Sequence, residues 1–254
     1  MTASLETRAL TIRFGGHVAV DAVSCQFRAG ELTAIVGPNG AGKTTYFNLI
    51  SGQLRATSGA VILNGADVTG LGAAERAARG VGRAFQLTNL FPGLSVAENV
   101  RLAVQAAAGV HYDMFDPWRL RRDLIARADE VLEEVALTGR RASAAAALSH
   151  GDQRKLEVAL MIALRPTIFM FDEPTAGMSV DEVPVVLDLI ARLKTDASKT
   201  ILLVEHKMDV VRSLADRIIV LHNGKLMADG EPAEIIASPI VQEAYLGVAK
   251  ASAS

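Results

Sequence analysis

The sequence has little cysteine and almost no net charge. Cys25 is the one cysteine among 254 residues, which excludes an internal disulfide framework and suits the cytosol. Because it lies in an alternating stretch, we expect Cys25 to be a small buried strand residue. The formal net charge of −2 gives no electrostatic case for nucleic acid as a partner. Half of the residues are hydrophobic, which is ample for a large core.

Signals for secretion and for membrane insertion are also missing. The first ten residues lack an apolar core, so we expect no signal peptide. A membrane-spanning helix needs ~20 apolar residues. The most apolar stretch, residues 156–171, is interrupted by Glu157, Arg165 and Pro166. The sequence therefore predicts no membrane span.

Short apolar runs alternate with helical patterns along the chain, and this alternation favours an α/β fold with a parallel sheet. Residues 94–147 form a helical block between the strands, and residues 215–230 predict a hairpin that turns at Asn223 and Gly224. Strands are predicted at residues 5–14, 18–27, 32–36, 59–65, 165–171 and 199–204.

A glycine-rich stretch carries the strongest functional signal. "GPNGAGKTT" fits G-x-x-x-x-G-K-[ST] in every fixed position, and it follows a predicted strand and opens a helix. Its glycines let backbone amides approach phosphate oxygens, Lys43 offers a charge to the β- and γ-phosphates, and the Thr44 hydroxyl is a ligand for Mg²⁺. A glycine turn without a ligand is the alternative. We therefore predict a site for nucleotide phosphates and Mg²⁺ formed by Gly37, Pro38, Asn39, Gly40, Ala41, Gly42, Lys43, Thr44 and Thr45.

Two acidic residues and a histidine end later buried strands. "TIFMFDEP" places Asp172 where it suits Mg²⁺, directly or through water, and Glu173 where it can polarise an attacking water. "ILLVEHKMD" ends its strand at His206, within reach of a γ-phosphate if this strand lies beside the phosphate loop. Such residues often have structural roles, but beside a phosphate loop they predict phosphoryl hydrolysis.

A second anion site is predicted far from the phosphate loop. "LSHGDQRKLEV" (residues 148–158) has the pattern of a helix start, with Ser149 as its cap. Free N–H groups at such a start attract anions. Asp152 lies in the first turn, where its carboxylate either repels an approaching phosphate or points to solvent.

These motifs, in this order, resemble those of the ATP-binding subunits of ABC transporters, and the resemblance covers about residues 5–247. It implies that Phe14 stacks on adenine, although a strand residue on the core face is the alternative. It also implies that Gln86, in "AFQLTNLF", senses Mg²⁺ and the transmembrane partner. Glu173 matches the catalytic glutamate of the family, and His206 matches its switch histidine.

The resemblance further implies an architecture. We expect a P-loop NTPase core with a mainly parallel sheet, an N-terminal antiparallel β subdomain and an inserted α-helical subdomain. A single ABC ATPase domain then spans residues 5–247. Residues 5–86 and 160–247 would form the core with the β subdomain, residues 90–159 the helical subdomain with the signature, and residues 248–254 a tail.

The family's signature "LSGGQ" is matched by "LSHGD". In the family this signature faces the nucleotide of a second chain. The resemblance thus implies a head-to-tail dimer with a second ATPase subunit, as a homo- or heterodimer, in which each ATP touches one phosphate loop and Ser149 with Gly151 of the other chain. Three residues depart from the pattern, His150 for glycine, Asp152 for glutamine and Ser179 for an aspartate of many relatives. Their effect stays open.

The long stretch before the signature, "DEPTAGMS" and the ending "SPIVQEAYLG" resemble the longer ATPase subunit of branched-chain amino acid importers. That type implies two transmembrane permease subunits, a periplasmic substrate-binding protein that acts indirectly, and a peripheral place on the cytoplasmic face of the bacterial inner membrane.

Urea and amide importers and exporters share the ATPase, so cargo and direction stay open. A non-transport ABC ATPase and an ATP-binding regulator with poor hydrolysis are further alternatives. The single cassette argues against the first, and intact Glu173 and His206 argue against the second.

Overall fold

The structure, a computed structural model, describes residues 4–84, 90–109, 121–239 and 241. The chain divides into two compact units, each with its own packed interior. Unit 1 comprises Met1–Val81, Thr167–Glu173 and Leu193–Ser254. Unit 2 comprises Gly82–Pro166 and Pro174–Arg192.

The strands in the described residues lie at or near the predicted positions, and the structure adds two short ones, β5 and β6. They are β1 (Leu5–Phe14), β2 (His17–Phe27), β3 (Leu32–Val36), β4 (Ser58–Leu63), β5 (Ala66–Asp67), β6 (Val81–Ala84), β7 (Ile168–Asp172), β8 (Thr200–Val204), β9 (Arg217–His222) and β10 (Lys225–Gly230).

Unit 1 contains two sheets. One is antiparallel, with the order β2-β1-β4-β5. In the other, β3 lies between β8 and β9, and its pairing with both is parallel. Strand β7 pairs in parallel with β8, and β10 is antiparallel to β9 across the predicted turn at Asn223 and Gly224. This arrangement confirms the predicted fold class, an α/β fold with a mainly parallel sheet and an N-terminal antiparallel one.

The central strands of the parallel sheet are buried along their whole length. Every residue of β3, β7 and β8 is buried, as continuous apolar runs predict for strands covered on both faces. Their register aligns Ile35 with Val204 and Val204 with Asp172. The carboxyl ends of these three strands therefore lie at the same edge of the sheet.

The helices follow the strands in chain order. They are α1 (Lys43–Ser51), α2 (Ala73–Ala77), α3 (Val96–Ala107), α4 (Arg122–Glu134), α5 (His150–Leu164), α6 (Val183–Lys194), α7 (Met208–Leu214) and α8 (Pro232–Ala237). Within the described part of the chain, no helix is long and apolar enough to cross a membrane.

Helices α3, α4 and α5 pack together in unit 2. The apolar stripe of α4 is buried as predicted, since Leu124, Ala128 and Val131 are at most 5% exposed. Helix α3 begins with a capping box, in which the Ser95 hydroxyl accepts from the Glu98 N–H and the Glu98 carboxylate accepts from the Ser95 N–H. The stripe of α4 is therefore core packing, and α3 begins at a side-chain cap.

A buried arginine holds the far end of α1. The guanidinium of Arg76 is 2% exposed and donates to the carbonyls of Leu49 and Ile50 at 2.6 and 2.8 Å. Both carbonyls belong to the last turn of the helix, where α-helical donors are missing, and the Leu49 carbonyl also accepts from the Gly52 N–H at 3.4 Å. Arg76 thereby fixes the helix whose other end carries the phosphate loop.

Cys25 is buried in β2, as predicted. Its side chain is 4% exposed, and its N–H donates to the Thr7 hydroxyl, which also bonds to the Tyr46 hydroxyl at 2.7 Å. Burial raises the pKa of the Cys25 thiol to about 11, and a hydrogen bond with Tyr46 opposes that rise. The thiol is therefore neutral at physiological pH.

We predict that Cys25 in the folded protein reacts with iodoacetamide at pH 8 at least ~10²-fold more slowly than in the unfolded chain, because the thiolate is the reactive form and both burial and the raised pKa suppress it. Alkylation followed by intact-mass measurement, with and without denaturant, checks this. Equal rates in the two states would contradict the buried position.

Candidate active site

The phosphate loop connects β3 to α1, and two of its glycines are required by close backbone contacts. A Cβ on Gly37 would lie 2.1 Å from the Leu221 carbonyl oxygen, and one on Gly42 would lie 2.4 Å from that of Ala19. Both also have positive φ, 151° and 97°. No other residue fits at either position, so glycine allows the loop to lie directly against the backbone of Leu221 and Ala19.

The loop runs directly into the start of α1. Gly42 occupies the cap position and supplies no side-chain hydrogen bond, and the Tyr46 N–H is the first to bond within the helix. The N–H groups of Lys43, Thr44 and Thr45 therefore have no intrahelical acceptor. A helix start with free donors and a positive dipole end favours a phosphate group.

Lys43 lies over this loop. The residue is 7% exposed, and its ammonium donates to the carbonyls of Gly37 and Pro38 at 2.7 and 3.0 Å. Burial lowers the pKa of Lys43, while the charges of Glu173 and Asp172 oppose that lowering. The Lys43 ammonium, which we predict to bind phosphate, thus lies within the loop and interacts with the charges of two carboxylates.

A cleft of about 400 Å³ brings several predicted site residues together. Phe14 is 49% exposed on its wall, so the alternative of a core-facing strand residue is wrong. His17 and Ala19 also line the cleft and were not predicted. The whole lining consists of Phe14, His17, Ala19, Asn39, Gly40, Ala41, Gly42, Lys43, Thr44, Thr45 and Glu173.

The two carboxylates at the end of β7 differ in exposure. Asp172, the last strand residue, is 6% exposed, whereas the Glu173 side chain is 42% exposed in the cleft. Glu173 has a φ of 51°, and its N–H still donates to the Val204 carbonyl at 2.9 Å. A positive φ is uncommon for a residue with a side chain. This turn directs the glutamate into the cleft directly after a buried aspartate.

His206 lies beside Glu173, as the adjacency of β7 and β8 requires. Its Nδ1 is 4.0 Å from Glu173 Oε1 and 3.7 Å from Glu205 Oε2. Glu205 is fully buried and accepts hydrogen bonds from the N–H groups of His206 and Lys207. Glu205 was not predicted, although a charged residue directly after a buried strand was visible in "LLVEH". It fixes the turn that presents the histidine.

Ser149 and Gly151 lie at the start of α5 in unit 2. The Ser149 hydroxyl accepts from the Asp152 N–H at 3.2 Å, which confirms the predicted cap. The Asp152 carboxylate is 19% exposed, accepts from Lys155 at 2.8 Å and lies 3.8 Å from Arg140. Asp152 therefore neither points to solvent nor carries an unpaired charge. Gln86, the remaining predicted site residue, lies outside the described residues.

Comparison with known protein families decides the identity. A model described as "ABC transporter" matches residues 20–176, and one described as "Branched-chain amino acid ATP-binding cassette transporter" matches residues 225–251. The chain belongs to the ABC transporter family. The resemblance inferred from the motifs is thus confirmed, and ATP hydrolysis coupled to transport is the activity of this family.

Individual relatives agree with this assignment. The chain is 38% identical over 250 residues to the high-affinity branched-chain amino acid transport ATP-binding protein BraF of Pseudomonas aeruginosa, covering 96% of this chain and 98% of that protein. The ADP conformation of MJ1267, an ATP-binding cassette of an ABC transporter, has a TM-score of 0.83 at 28% identity and covers 97% of this chain and 100% of its own. A dimeric post-hydrolysis state of MJ0796 with ADP and phosphate has a TM-score of 0.75 at 26% identity. The match covers 90% of this chain and 98% of the MJ0796 chain.

We predict that Lys43→Ala weakens ATP binding by on the order of tenfold to a hundredfold, the span for loss of a hydrogen bond to a charged group. Isothermal calorimetry with ATP measures the change. Lys199→Ala is the matched control, because Lys199 precedes β8 and so lies at the opposite edge of the sheet. If Lys43→Ala binds ATP with nearly the affinity of the parent, another cation must bind the phosphates.

Proposed function

We propose that this protein is the ATP-binding and hydrolysing subunit that powers an ABC importer for branched-chain or related amino acids. The observation that carries the proposal is the cleft of unit 1, which combines a phosphate loop, an aromatic wall at Phe14 and the catalytic-type glutamate Glu173. Each of these groups performs one part of ATP hydrolysis. Phe14 stacks on the adenine, the loop and Lys43 hold the phosphates, and Glu173 orients the attacking water.

The proton chemistry is assigned to Glu173 and His206. Glu173 accepts a proton from the attacking water as that water bonds to the γ-phosphorus. Glu205 fixes the backbone of His206, whose Nδ1 lies 4.0 Å from Glu173 Oε1. We assign His206 to orient the Glu173 carboxylate and to contact the γ-phosphate. The leaving ADP carries its negative charge into a loop lined by Lys43 and backbone amides. This electrostatic complementarity to the transferred phosphoryl group is the main source of the rate increase.

The donor set also fits Mg²⁺. Thr44 supplies a hydroxyl and Asp172 a carboxylate, with Gln86 as the third residue that the sequence assigns to the metal. Mg²⁺ prefers oxygen ligands and usually takes only one or two from a protein, the rest coming from water and phosphate. Within the described residues no cluster of three or more acidic, histidine or cysteine side chains suits a metal, which fits a metal that arrives with the nucleotide. When bound, it neutralises charge on the β- and γ-phosphates.

Ser149 and Gly151 are assigned to the nucleotide of a second ATPase subunit. The dimeric structure of MJ0796 with ADP and phosphate supports dimerisation, because MJ0796 is a related cassette. We therefore propose a head-to-tail dimer, either with another copy of this chain or with a different ATPase subunit. Two shared sites make closure depend on ATP, and hydrolysis removes that dependence.

The cargo assignment is supported by the BraF similarity and by the match at residues 225–251 to the branched-chain amino acid family. On the importer type that the motifs resemble, we also propose two permease subunits, a periplasmic binding protein and a peripheral place at the cytoplasmic face of the inner membrane. The nucleotide cleft itself favours no cargo, because ATP is the ligand that its residues contact.

A groove in unit 2 is the proposed contact for a permease. It has a volume of about 350 Å³ and is lined mostly by apolar side chains of β6, α3 and α5. Phe91 is 55% exposed at this groove and Leu164 is 47% exposed. The buried Asn99 accepts from the Phe91 N–H at 2.8 Å and donates to its carbonyl at 3.1 Å. The backbone that carries the exposed ring is therefore fixed at the groove, which favours its use as an anchor for an apolar segment.

We predict that Glu173→Gln lowers ATP hydrolysis by on the order of 10²–10⁴-fold, the span for loss of a general base, while ATP still binds. In cells that lack the native gene, the variant should also fail to restore uptake of radiolabelled leucine, isoleucine and valine, which the parent restores. Phosphate release and uptake are measured on the same variants. Rapid hydrolysis by Glu173→Gln would show that another residue is the general base. Uptake that does not depend on the parent protein would contradict the assignment of branched-chain amino acids as cargo.

We predict that Phe91→Glu abolishes amino acid uptake and releases the protein from membranes, because a charge at the groove cannot enter an apolar contact. ATP binding by the purified variant serves as the folding control. Met227→Glu is the matched substitution, since Met227 is an exposed apolar residue of β10 in unit 1. Full amino acid uptake in cells with Phe91→Glu would show that the groove is not the contact for a permease.

A further inference from the structure

A carboxylate of unit 2 occupies the start of the signature helix. Glu182 Oε1 accepts a hydrogen bond from the Gly151 N–H at 3.1 Å and lies 3.5 Å from the Ser149 hydroxyl. These are the two groups assigned above to the phosphate of a second chain's ATP. A Cβ on Gly151 would lie 2.3 Å from Oε1, so the carboxylate rests directly against the glycine.

The other oxygen of the same carboxylate binds the turn that precedes α6. Glu182 Oε2 accepts from the Ser179 N–H at 3.2 Å and from the Ser179 hydroxyl at 3.0 Å. Both bonds lie within the turn of residues 179–182. Glu182 therefore connects this turn, through one oxygen, with the start of α5, through the other.

These donors keep the Glu182 carboxylate anionic. The backbone N–H and then the hydroxyl of Ser179 hold the pKa of Glu182 below its usual value, and the N–H of Gly151 adds to this. A carboxylate with a full negative charge and two oxygens on N–H and O–H donors has the same chemistry as a phosphate oxygen pair. Carboxylate and phosphate thus require the same donors.

Resting on the proposed function, we propose that Glu182 is an internal substitute for the γ-phosphate at the signature, and that it is exchanged for the ATP of the second chain when the dimer closes. The exchange sets the ATP concentration at which two subunits associate. It also explains the Ser179 departure, because an aspartate at that position would repel Glu182 and would not donate a side-chain hydrogen bond to it.

Two variants with opposite changes of charge test this exchange. Glu182→Gln removes the anion from the signature, and Ser179→Asp adds an anion that displaces it. Both should lower the ATP concentration for half-maximal association, by about threefold to tenfold for Glu182→Gln, the effect of removing one like charge near the phosphate in a partly hydrated site. Asp181→Asn is the matched control, since Asp181 is exposed and adjacent to Glu182, and it should leave the midpoint unchanged.

Association is measured by light scattering against ATP concentration in a Glu173→Gln background, with the chain alone and then mixed with its second ATPase subunit. For Glu182→Gln, the shift in midpoint should be larger at low than at high ionic strength. The inference is overturned if Glu182→Gln leaves the ATP concentration for half-maximal association unchanged or raises it. It is also overturned if the two variants shift this concentration in opposite directions, because that would indicate a simple effect of net charge. If no variant associates in ATP at all, the dimer of the proposed function fails, and the inference with it.

Discussion

The parallel pairing of β3 with β8 and of β8 with β7 is the constraint on which the active site depends. Because Ile35, Val204 and Asp172 are aligned in register, the turns that follow the three strands meet at one edge of the sheet. The phosphate loop, His206 and Glu173 come from these three turns. Continuous burial of the strands makes a register shift costly, so the fold fixes the catalytic geometry before any nucleotide contact is considered.

Polar groups at both proposed nucleotide contacts have partners within the chain. Lys43 donates to carbonyls of its own loop, and the Gly151 N–H donates to Glu182. ATP binding therefore exchanges one set of hydrogen bonds for another, and its net free energy is a difference between them. The weaker the internal bonds, the lower the ATP concentration at which the protein responds. In this way residues outside the cleft tune an activity whose chemistry lies inside it.

The sequence predicted the parts of the site that depend on local spacing. Lys43 and Ser149 lie within their own motifs, and glycine patterns and helix caps are short-range signals. Glu182 and Phe91 could not be found this way, because their roles depend on partners brought together by folding, Gly151 for the first and a groove between helices for the second. Asp152 shows the same limit, since its charge is paired with Lys155 and with Arg140, which lies on another element.

The central claim is that the signature of this chain faces the phosphate loop of a second ATPase chain across ATP. A photoreactive diazirine amino acid at position 150 tests it most directly, because His150 is exposed within the signature. In host-cell membranes with Glu173→Gln and ATP, irradiation should join two ATPase chains, and mass spectrometry should locate the link on a phosphate-loop peptide of the other chain. Links that form equally without ATP, or only within one chain, would contradict the account.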